Sequence, residues 1–492
     1  MSNTAAETEL RVWMGRHYLR CAELMPRAIS ATEIVKIRRP FGQTVRPAAG
    51  SVLASAEQTD YDPYPDYFFH WLRDSAIVID ALRELIEDGT LGAEALRRVD
   101  EFVEFSLGLN RLDGRQLPPR ESYRAVVDPD QFKFLRPDEE LAELHGERVM
   151  GEARYGADGA LDILGWGRPQ NDGPALRALT CLRFWRNDTL RADLKADPLR
   201  ALIEADLDYT LHHRKEISVD LWEETLGHNF HTQLTQCAAL AEGGAWARML
   251  GEGERAENYA AAAAEIERAL GAYYSADAGA YLTPLPDAPT APSGRMRLDI
   301  AVILGVVQAE RMAGAFGATD PKMLATCVKL EQLFDEEYPI NHHRPPDEAP
   351  ALGRYPRDQY YTGGAYFFST LGAAQFCYLF AAAAASGAPV PLATENRFIL
   401  AQMLGRPPDA LGEAQLAPPL RGALVRALIQ KGDGFMATTR HYTPASGEMA
   451  EQFSQLDGAP ASARDLAWSY AGFVKAFATR RRAERNLAST GG

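Results

Sequence analysis

The chain has 492 residues, of which 46% are hydrophobic and 24% charged, a composition that excludes a disordered or fibrous protein. Its 52 basic and 67 acidic residues give a formal net charge of −15, which repels phosphate backbones and excludes a general nucleic-acid-binding protein. The five cysteines are far apart and form no C-x-x-C pair, and the N-terminal segment lacks a signal-peptide pattern. We therefore expect a cytoplasmic protein with reduced thiols.

Helical periodicity runs through the whole chain. Apolar residues recur at spacings of three and four in about twelve segments, whereas few segments alternate with the period of a β-strand. The most apolar stretch, 371–388, is mainly alanine and contains Gln375, so it predicts a buried helix and no membrane span. The fold class is predicted to be all-α. The clearest helical segments are, in chain order, RDSAIVIDALRELIEDG, DGPALRALTCLRFWR, NFHTQLTQCAALAEGGAWARML, DIAVILGVVQAERMAG, GAYFFSTLGAAQFCYLFAAAAASG and ARDLAWSYAGFVKAFATRRR.

Polar and aromatic motifs precede every other predicted helix. Five helices have such a motif before them, and a helix near residue 298 lies in the sixth position of this alternation without one. This alternation predicts two nested rings of six helices, in which the loops before the inner helices meet at one mouth. The motifs are HWLRD, GWGRPQNDGP, DLWEETLGHN, GRYPRDQYYTGG and the segment 448–464, which open helices near residues 74, 172, 227, 364 and 464.

The residue types in these motifs suit glycoside cleavage. The sequence has no P-loop, no dinucleotide-binding glycine motif, no G-x-S-x-G and no H-E-x-x-H. His228 and His231 could share a helix face, but no third ligand lies near them in the sequence, so we predict no metal site. Carboxylates, arginines and aromatic residues remain. Acetal cleavage needs a proton donor and a second carboxylate, and it needs neither a metal nor an organic cofactor.

Five blocks, in this order, resemble glycoside hydrolase family 15, the glucoamylase family. They are YPDYFFHWLRDS, GWGRPQNDGPALRA, DLWEE, GRYPRDQYYTGG and AEQF followed by SARDLAWSYA, and together they span about residues 52–477. The resemblance implies an (α/α)6 barrel. It also implies inverting hydrolysis of α-glucosides from the non-reducing end, with β-glucose as the product.

The resemblance also implies a role for individual residues. Glu223, the first glutamate of DLWEE, matches the general acid, which we expect to be buried beside Trp222. Glu224 is expected to bind substrate, and Glu451 of AEQF matches the general base that activates water. The other expected substrate-binding residues are Arg73, Asp74, Trp166, Arg168, Trp222, Arg354, Asp358 and Tyr366.

Each of these residues, taken alone, has a simpler interpretation. Arg73 and Asp74 could be a surface or capping pair at a helix start. Glu223 and Glu224 could be first-turn acids that face a helix dipole. Tryptophans are more often core residues than sugar platforms. The joint order of all five blocks favours the catalytic interpretation.

Some positions depart from the family pattern. Tyr366 lies where a tryptophan is common, Asn171 replaces a frequent basic residue, and His228 and His231 lie close to the predicted acid. We expect one catalytic domain over residues 1–492, without a separate starch-binding or N-terminal β-sandwich domain. The expected substrates are soluble malto-oligosaccharides, with neither nucleic acid nor membrane as a partner; the oligomeric state is left open.

Two other functions remain open from the sequence. A related enzyme of the same class would act on trehalose, isomalto-oligosaccharides or dextran, or would favour glucosyl transfer. A protein of another class would bind carbohydrate on this scaffold without catalysis. The presence of both Glu223 and Glu451 favours an enzyme.

Overall fold

The computed structural model describes residues 2–59, 63–285 and 296–489. Most of the Pro-rich stretch 282–294, which the sequence predicts to be a long loop, lies outside the described residues. The helices of the described residues are α1 (Ser2–Leu24), α2 (Leu72–Glu87), α3 (Leu96–Leu109), α4 (Asp138–Ala142), α5 (Gly173–Arg186), α6 (Asp188–Ala192), α7 (Ala196–His213), α8 (Phe230–Met249), α9 (Gly253–Leu270), α10 (Ala301–Gln308), α11 (Pro321–Glu337), α12 (Phe367–Ala385), α13 (Thr394–Leu404), α14 (Arg421–Tyr442) and α15 (Ala467–Ser489).

Six helices form a closed inner ring. Helix α2 packs on α5, α5 on α8, α8 on α10, α10 on α12, α12 on α15, and α15 returns to α2. Helices α1, α3, α7, α9, α11 and α14 alternate with them along the chain and lie outside the ring. The structure is therefore the predicted all-α barrel of two nested rings, and its inner helices begin within a few residues of the predicted positions.

The apolar composition of α12 explains why this helix lies in the inner ring. Every residue of α12 is buried, and this is the one helix of the described chain that is long and apolar enough to cross a membrane. A helix that is apolar on all sides is stable in water only when other helices surround it. The prediction of a buried helix at this position is confirmed. Helix α13 was not predicted; it packs on α11 and α14 outside the inner ring.

Buried charges join the inner helices below the mouth. The ammonium of Lys475 on α15 lies 2.7 Å from Asp80 and 3.1 Å from Glu84, both on α2, and 2.6 Å from Glu310, just after α10. Arg183 on α5 lies 2.6 Å from the Asp80 carboxylate. A buried charge is tolerated when it is paired on several sides, and this network joins charges on α2, α5 and α15 with Glu310, which follows α10.

Short antiparallel strands stand before the inner helices. They have only two or three residues each, and the pairs β3–β4 and β9–β10 join segments that are distant in the sequence. The pairs are β1 with β2, β3 with β4, β5 with β6, β7 with β8, and β9 with β10 and β11. The strands are β1 (Lys36–Arg38), β2 (Gln43–Val45), β3 (Phe69–Trp71), β4 (Arg154–Gly156), β5 (Ser218–Val219), β6 (Leu226–Gly227), β7 (Tyr274–Ser275), β8 (Ala280–Tyr281), β9 (Ala365–Tyr366), β10 (Gln452–Phe453) and β11 (Pro460–Ala461).

Candidate active site

A cavity of about 240 Å³ opens at the N-terminal ends of the inner helices. Polar and aromatic side chains line it together, as in sites that bind small polar ligands. Nine of the eleven predicted site residues line this cavity, so the structure brings together segments that are hundreds of residues apart. They are Arg73, Asp74, Trp166, Trp222, Glu223, Glu224, Arg354, Tyr366 and Glu451.

Glu223 lies in a tight turn between β5 and β6. Its φ is 66°, a left-handed conformation that side chains other than glycine rarely adopt. Asp220 holds the turn, because its carboxylate accepts hydrogen bonds from the backbone N–H groups of Glu224 at 2.9 Å and Thr225 at 3.2 Å. Helix α8 begins only at Phe230, so the two glutamates are not first-turn acids of a helix.

Four N–H donors surround the carboxyl group of Glu223. Its Oε1 accepts hydrogen bonds from the Trp71 indole at 2.8 Å, from Arg73 at 3.2 Å and from Gln170 at 2.9 Å. Its Oε2 accepts one from the Trp166 indole. The environment therefore differs from the expected apolar contact with Trp222, whose indole N–H points away, to Asp299. Three donors on one oxygen and one donor on the other make the two carboxyl oxygens inequivalent.

Arg73 and Asp74 occupy the first turn of α2 and are both buried. Arg73 donates to Gln170 at 2.8 Å and to Asp172 at 3.1 Å, in addition to its bond with Glu223. Burial raises the pKa of Asp74 to about 6, against the opposing charge of Arg73. The interpretation of this pair as surface residues is excluded, since both side chains face the cavity.

Glu451 faces the same cavity from the edge of the sheet formed by β9, β10 and β11. Its Oε2 accepts a hydrogen bond from the Ser462 hydroxyl, and the Tyr67 hydroxyl lies 3.4 Å from its Oε1. Burial raises the pKa of Glu451 to about 7, and the hydrogen bond from Ser462 opposes this rise. A carboxyl group with a pKa near neutrality is suited to proton transfer.

Glu224 and Arg354 form a second polar wall. Arg354 donates to Glu224 at 2.8 Å and grips Asp358 with two bonds, at 2.7 Å from Nε and 2.6 Å from Nη2. Tyr355 donates its hydroxyl to the other oxygen of Glu224. Asp358 is not among the residues that line the cavity, so its contact with the site runs through Arg354.

Aromatic rings form the floor. Trp222 stacks on Phe368 with ring centres 6.2 Å apart, and Phe368 stacks on Trp468 at 4.3 Å. Tyr366 lines the same region and accepts a hydrogen bond of 2.7 Å from Gln452, the residue after Glu451. Burial raises the pKa of Asp299, the partner of the Trp222 indole, to about 7.

Trp166 reaches the cavity, whereas Arg168 does not line it. The Arg168 guanidinium is buried and lies 2.7 Å from Glu152 and 3.2 Å from Asp162. An added Cβ at Gly167 would lie 2.8 Å from the backbone oxygen of Glu223, so the glycine lets this loop approach the turn that carries Glu223. A substrate contact of Arg168 stays a prediction; in the structure its guanidinium pairs with Glu152 and Asp162 and holds the loop that carries Trp166.

Five residues that the sequence analysis missed hydrogen-bond to Glu223 or Glu451 directly or through one neighbour, and all five fall inside the quoted motif blocks. Their position inside a block is the sequence signal that could have identified them as site residues. The direction of each side chain is not predictable without the fold. The five residues are Tyr67, Trp71, Gln170, Tyr360 and Ser462.

The two histidines near the acid lie apart from any cation-binding cluster. Within residues 2–59, 63–285 and 296–489, no group of three or more His, Cys, Asp or Glu side chains is placed to hold a metal ion. His231 is buried, 2.7 Å from Gln308 and 3.6 Å from Asp172, and burial lowers its pKa. It is therefore neutral near pH 7.

Comparison with known proteins gives consistent matches. The sequence profile described as Glycosyl hydrolases family 15 matches residues 35–478. A probable glucoamylase of Schizosaccharomyces pombe is 28% identical over 88% of this chain and 85% of its own length. A glucoamylase of Blastobotrys adeninivorans is 26% identical over 87% of this chain and 67% of its own length. The solved glucoamylase of Saccharomycopsis fibuligera has a TM-score of 0.77 at 22% identity and covers 96% of both chains, which supports the fold.

Proposed function

This chain belongs to glycosyl hydrolases family 15 and is a glycoside hydrolase, and we propose that it removes β-glucose from the non-reducing ends of soluble malto-oligosaccharides by an inverting mechanism. The observation that carries this proposal is the shared cavity of Glu223 and Glu451. Both carboxyl groups face the same space, yet their hydrogen-bond partners differ in kind. Two carboxyl groups in different surroundings are what an acid and a base require.

Glu223 is the proposed general acid, and its Oε2 is the oxygen that carries the proton. Oε1 already accepts three hydrogen bonds, from Trp71, Arg73 and Gln170, whereas Oε2 accepts one, from Trp166. A proton on Oε2 can pass to the glycosidic oxygen of the substrate as the bond to the anomeric carbon breaks. The negative charge left on Glu223 is then stabilised by donors already in place.

Glu451 is the proposed general base. Its Oε2 is engaged by Ser462, whereas its Oε1 has only the longer contact with Tyr67, at 3.4 Å. Oε1 is therefore the oxygen that takes a proton from the attacking water. The water's oxygen forms the new bond to the anomeric carbon on the face opposite the leaving group, which gives inversion.

The rest of the cavity suits one terminal sugar. Arg73, Asp74 and Arg354 present fixed charges to hydroxyl groups, and such charge-assisted bonds are strong and directional. Trp222, Phe368 and Trp468 present apolar faces to the sugar ring. A cavity of about 240 Å³ with a floor of aromatic rings suits a single sugar at a chain end, so it favours action at ends over action within a chain.

The deciding experiment is proton NMR of the purified protein with maltotriose, following the anomeric signal of the first glucose released. We expect β-glucose before mutarotation. Initial α-glucose would overturn the inverting mechanism and the assigned roles. No turnover of maltotriose, but turnover of trehalose or an α-1,6-linked disaccharide, would keep the roles and change the substrate.

Two further expectations extend this proposal. Residues 1–492 would act as one catalytic domain. A cytoplasmic location would suit the five cysteines, which are all buried and free of disulfides.

A further inference from the structure

Two tryptophans hold opposite oxygens of Glu223. The Trp71 indole donates to Oε1 at 2.8 Å and the Trp166 indole donates to Oε2. The two rings meet edge to face, with centres 6.2 Å apart and planes at 73°. The orientation of both rings therefore decides where the proposed acid points.

Arg154 lies against the faces of both rings. Its guanidinium carbon is 3.7 Å from the ring centre of Trp166 and 5.1 Å from that of Trp71. It is also 4.0 Å from the ring centre of Phe69. The chain builds this contact through strand pairing, because Arg154 on β4 is directly opposite Trp71 on β3.

The charge of Arg154 is only partly neutralised by hydrogen bonds. Arg154 has no exposed surface, and its Nε donates to Asp162 at 2.8 Å. Its Nη1 and Nη2 have no hydrogen-bond partner within the described residues. Burial disfavours the charged form of Asp162, but the charges of Arg154 and Arg168 lower its pKa, so it remains a carboxylate. The flat face of the Arg154 guanidinium lies against the indole rings.

We propose that Arg154 is a positioning residue that orients and polarises the indole N–H groups of Trp71 and Trp166, which hold the carboxyl group of Glu223. This inference rests on the proposed role of Glu223 as the acid. A cation over an indole face is attracted to the ring and draws electron density from it, so the N–H at the edge becomes a stronger donor. Stronger donors stabilise the carboxylate that remains after proton transfer.

The experiment compares two substrates in Arg154→Met. Maltose has a poor leaving group and needs a full proton donor, whereas α-glucosyl fluoride releases fluoride and depends much less on the acid. We expect kcat for maltose to fall roughly tenfold or more, a part of the usual general-acid contribution, with KM changed less than about threefold. The rate on α-glucosyl fluoride should fall less than about threefold, and the alkaline limb of the maltose pH profile should move to higher pH.

Arg136→Met is the matched control. Arg136 is also buried and pairs with Glu152, the carboxylate that also binds Arg168. Within the part of the chain that the structure describes, the guanidinium of Arg136 lies over neither indole ring, unlike that of Arg154. It should lower stability as a buried arginine does, while the ratio of maltose to fluoride rates stays at the wild-type value. Arg154→Lys keeps the charge without the flat face and should restore part of the maltose rate.

Four outcomes would each overturn either the inference or the proposed function. Equal losses on both substrates in Arg154→Met, or an unchanged maltose rate, would overturn the inference. If Arg154→Met does not fold, the same comparison is made in Arg154→Lys, where a ratio equal to that of the wild type would overturn it. Wild-type protein that releases no β-glucose from maltose would instead overturn the proposed function, and it would do so before any variant is compared.

Discussion

Ser462 donates its hydroxyl hydrogen to the carboxylate of Glu451 across the paired ends of β10 and β11. The two residues are 11 positions apart, and the backbone N–H of Glu451 also bonds to the carbonyl of Ala463 at 2.7 Å. The strand pair therefore fixes both the position of the proposed base and the donor that favours its ionised form.

The pH dependence of the activity should reflect this contact. Glu451 has a pKa of about 7 because it is buried, and a base acts only when ionised. We expect kcat/KM to fall about tenfold for each pH unit below about pH 7. Ser462→Ala removes a donor to the carboxylate, so the acidic limb should move up by about one unit. Ser454→Ala, in the same loop, should leave that limb in place, and an acidic limb indifferent to Ser462→Ala would contradict the assignment.

The same residue should limit stability above neutral pH. The pKa of Glu451 in the folded protein is above its value in the unfolded chain, so folding favours the protonated form. The protonated carboxyl group therefore contributes its full stability below the unfolded pKa. This stability is lost as the pH rises through about 7. Glu451→Gln removes the free-energy cost of ionising this buried carboxyl group, which is at most about 3 kcal/mol. Thermal unfolding should give the variant a higher Tm than the wild type at pH 8 and nearly the same Tm at pH 5. A gain of equal size at both pH values would exclude ionisation as its cause.

Glu223→Gln should abolish most of the activity without loss of the fold. The amide keeps the shape of the side chain but has no acidic proton, so kcat should fall by about 10²–10⁴. Glu224→Gln is a matched control in the same turn, and it should act mainly on KM because Glu224 pairs with Arg354. Steady-state kinetics on maltose and circular dichroism test both variants; a larger loss of kcat in Glu224→Gln would reverse the two roles.

Arg354→Lys should weaken substrate binding. Arg354 bridges Glu224 and Asp358 with three hydrogen bonds that a lysine cannot reproduce, because it lacks the planar fork. We expect kcat/KM to fall roughly tenfold, mostly through KM. The control is Arg357→Lys, an exposed residue of the same loop, for which no change is expected. A loss confined to kcat would place Arg354 with the acid or the base instead.

Lys475→Met should destabilise the barrel while the chemistry survives. The change leaves the buried carboxylate of Asp80 and the half-buried carboxylates of Glu84 and Glu310 with one cation fewer. Breaking a buried pair costs about 3–5 kcal/mol. Lys195→Met removes an exposed pair with Glu104 and should leave the free energy of unfolding nearly unchanged. Denaturant unfolding measures both. A kcat for Lys475→Met well below the wild-type value under native conditions would show that the network also shapes the site.

The sequence predicted the architecture well because the relevant signals are local. Apolar spacing and the alternation of motifs with helices located the six inner helices, including α10, which has no motif. Helix α13 was missed because nothing in its sequence belongs to that alternation. Its start is fixed by a short-range feature, the side chain of Asn396 accepting from the backbone N–H of Ala393 at 2.9 Å.

The details of the site depended on long-range contacts that a sequence does not display. The resemblance places residues of all five blocks in one site, but it does not show that the donors to Glu223 come from two segments, Trp71 with Arg73 and Trp166 with Gln170. Arg168 was expected at the cavity wall, yet Glu152 and Asp162, from the stretch before it, draw its guanidinium away. The direction of a buried arginine is set by the nearest carboxylates in space, which only the fold reveals.

The order of the segments along the chain affects how the protein acquires activity during synthesis. Glu451 follows Glu223 by 228 residues and comes just ahead of α15, the helix that packs on both α12 and α2 and completes the inner ring. A nascent chain on the ribosome contains the turn of Glu223 long before it contains Glu451 or a closed inner ring. Incomplete or prematurely terminated copies should therefore lack hydrolytic activity, and hydrolysis should begin only when translation has passed the final inner helix.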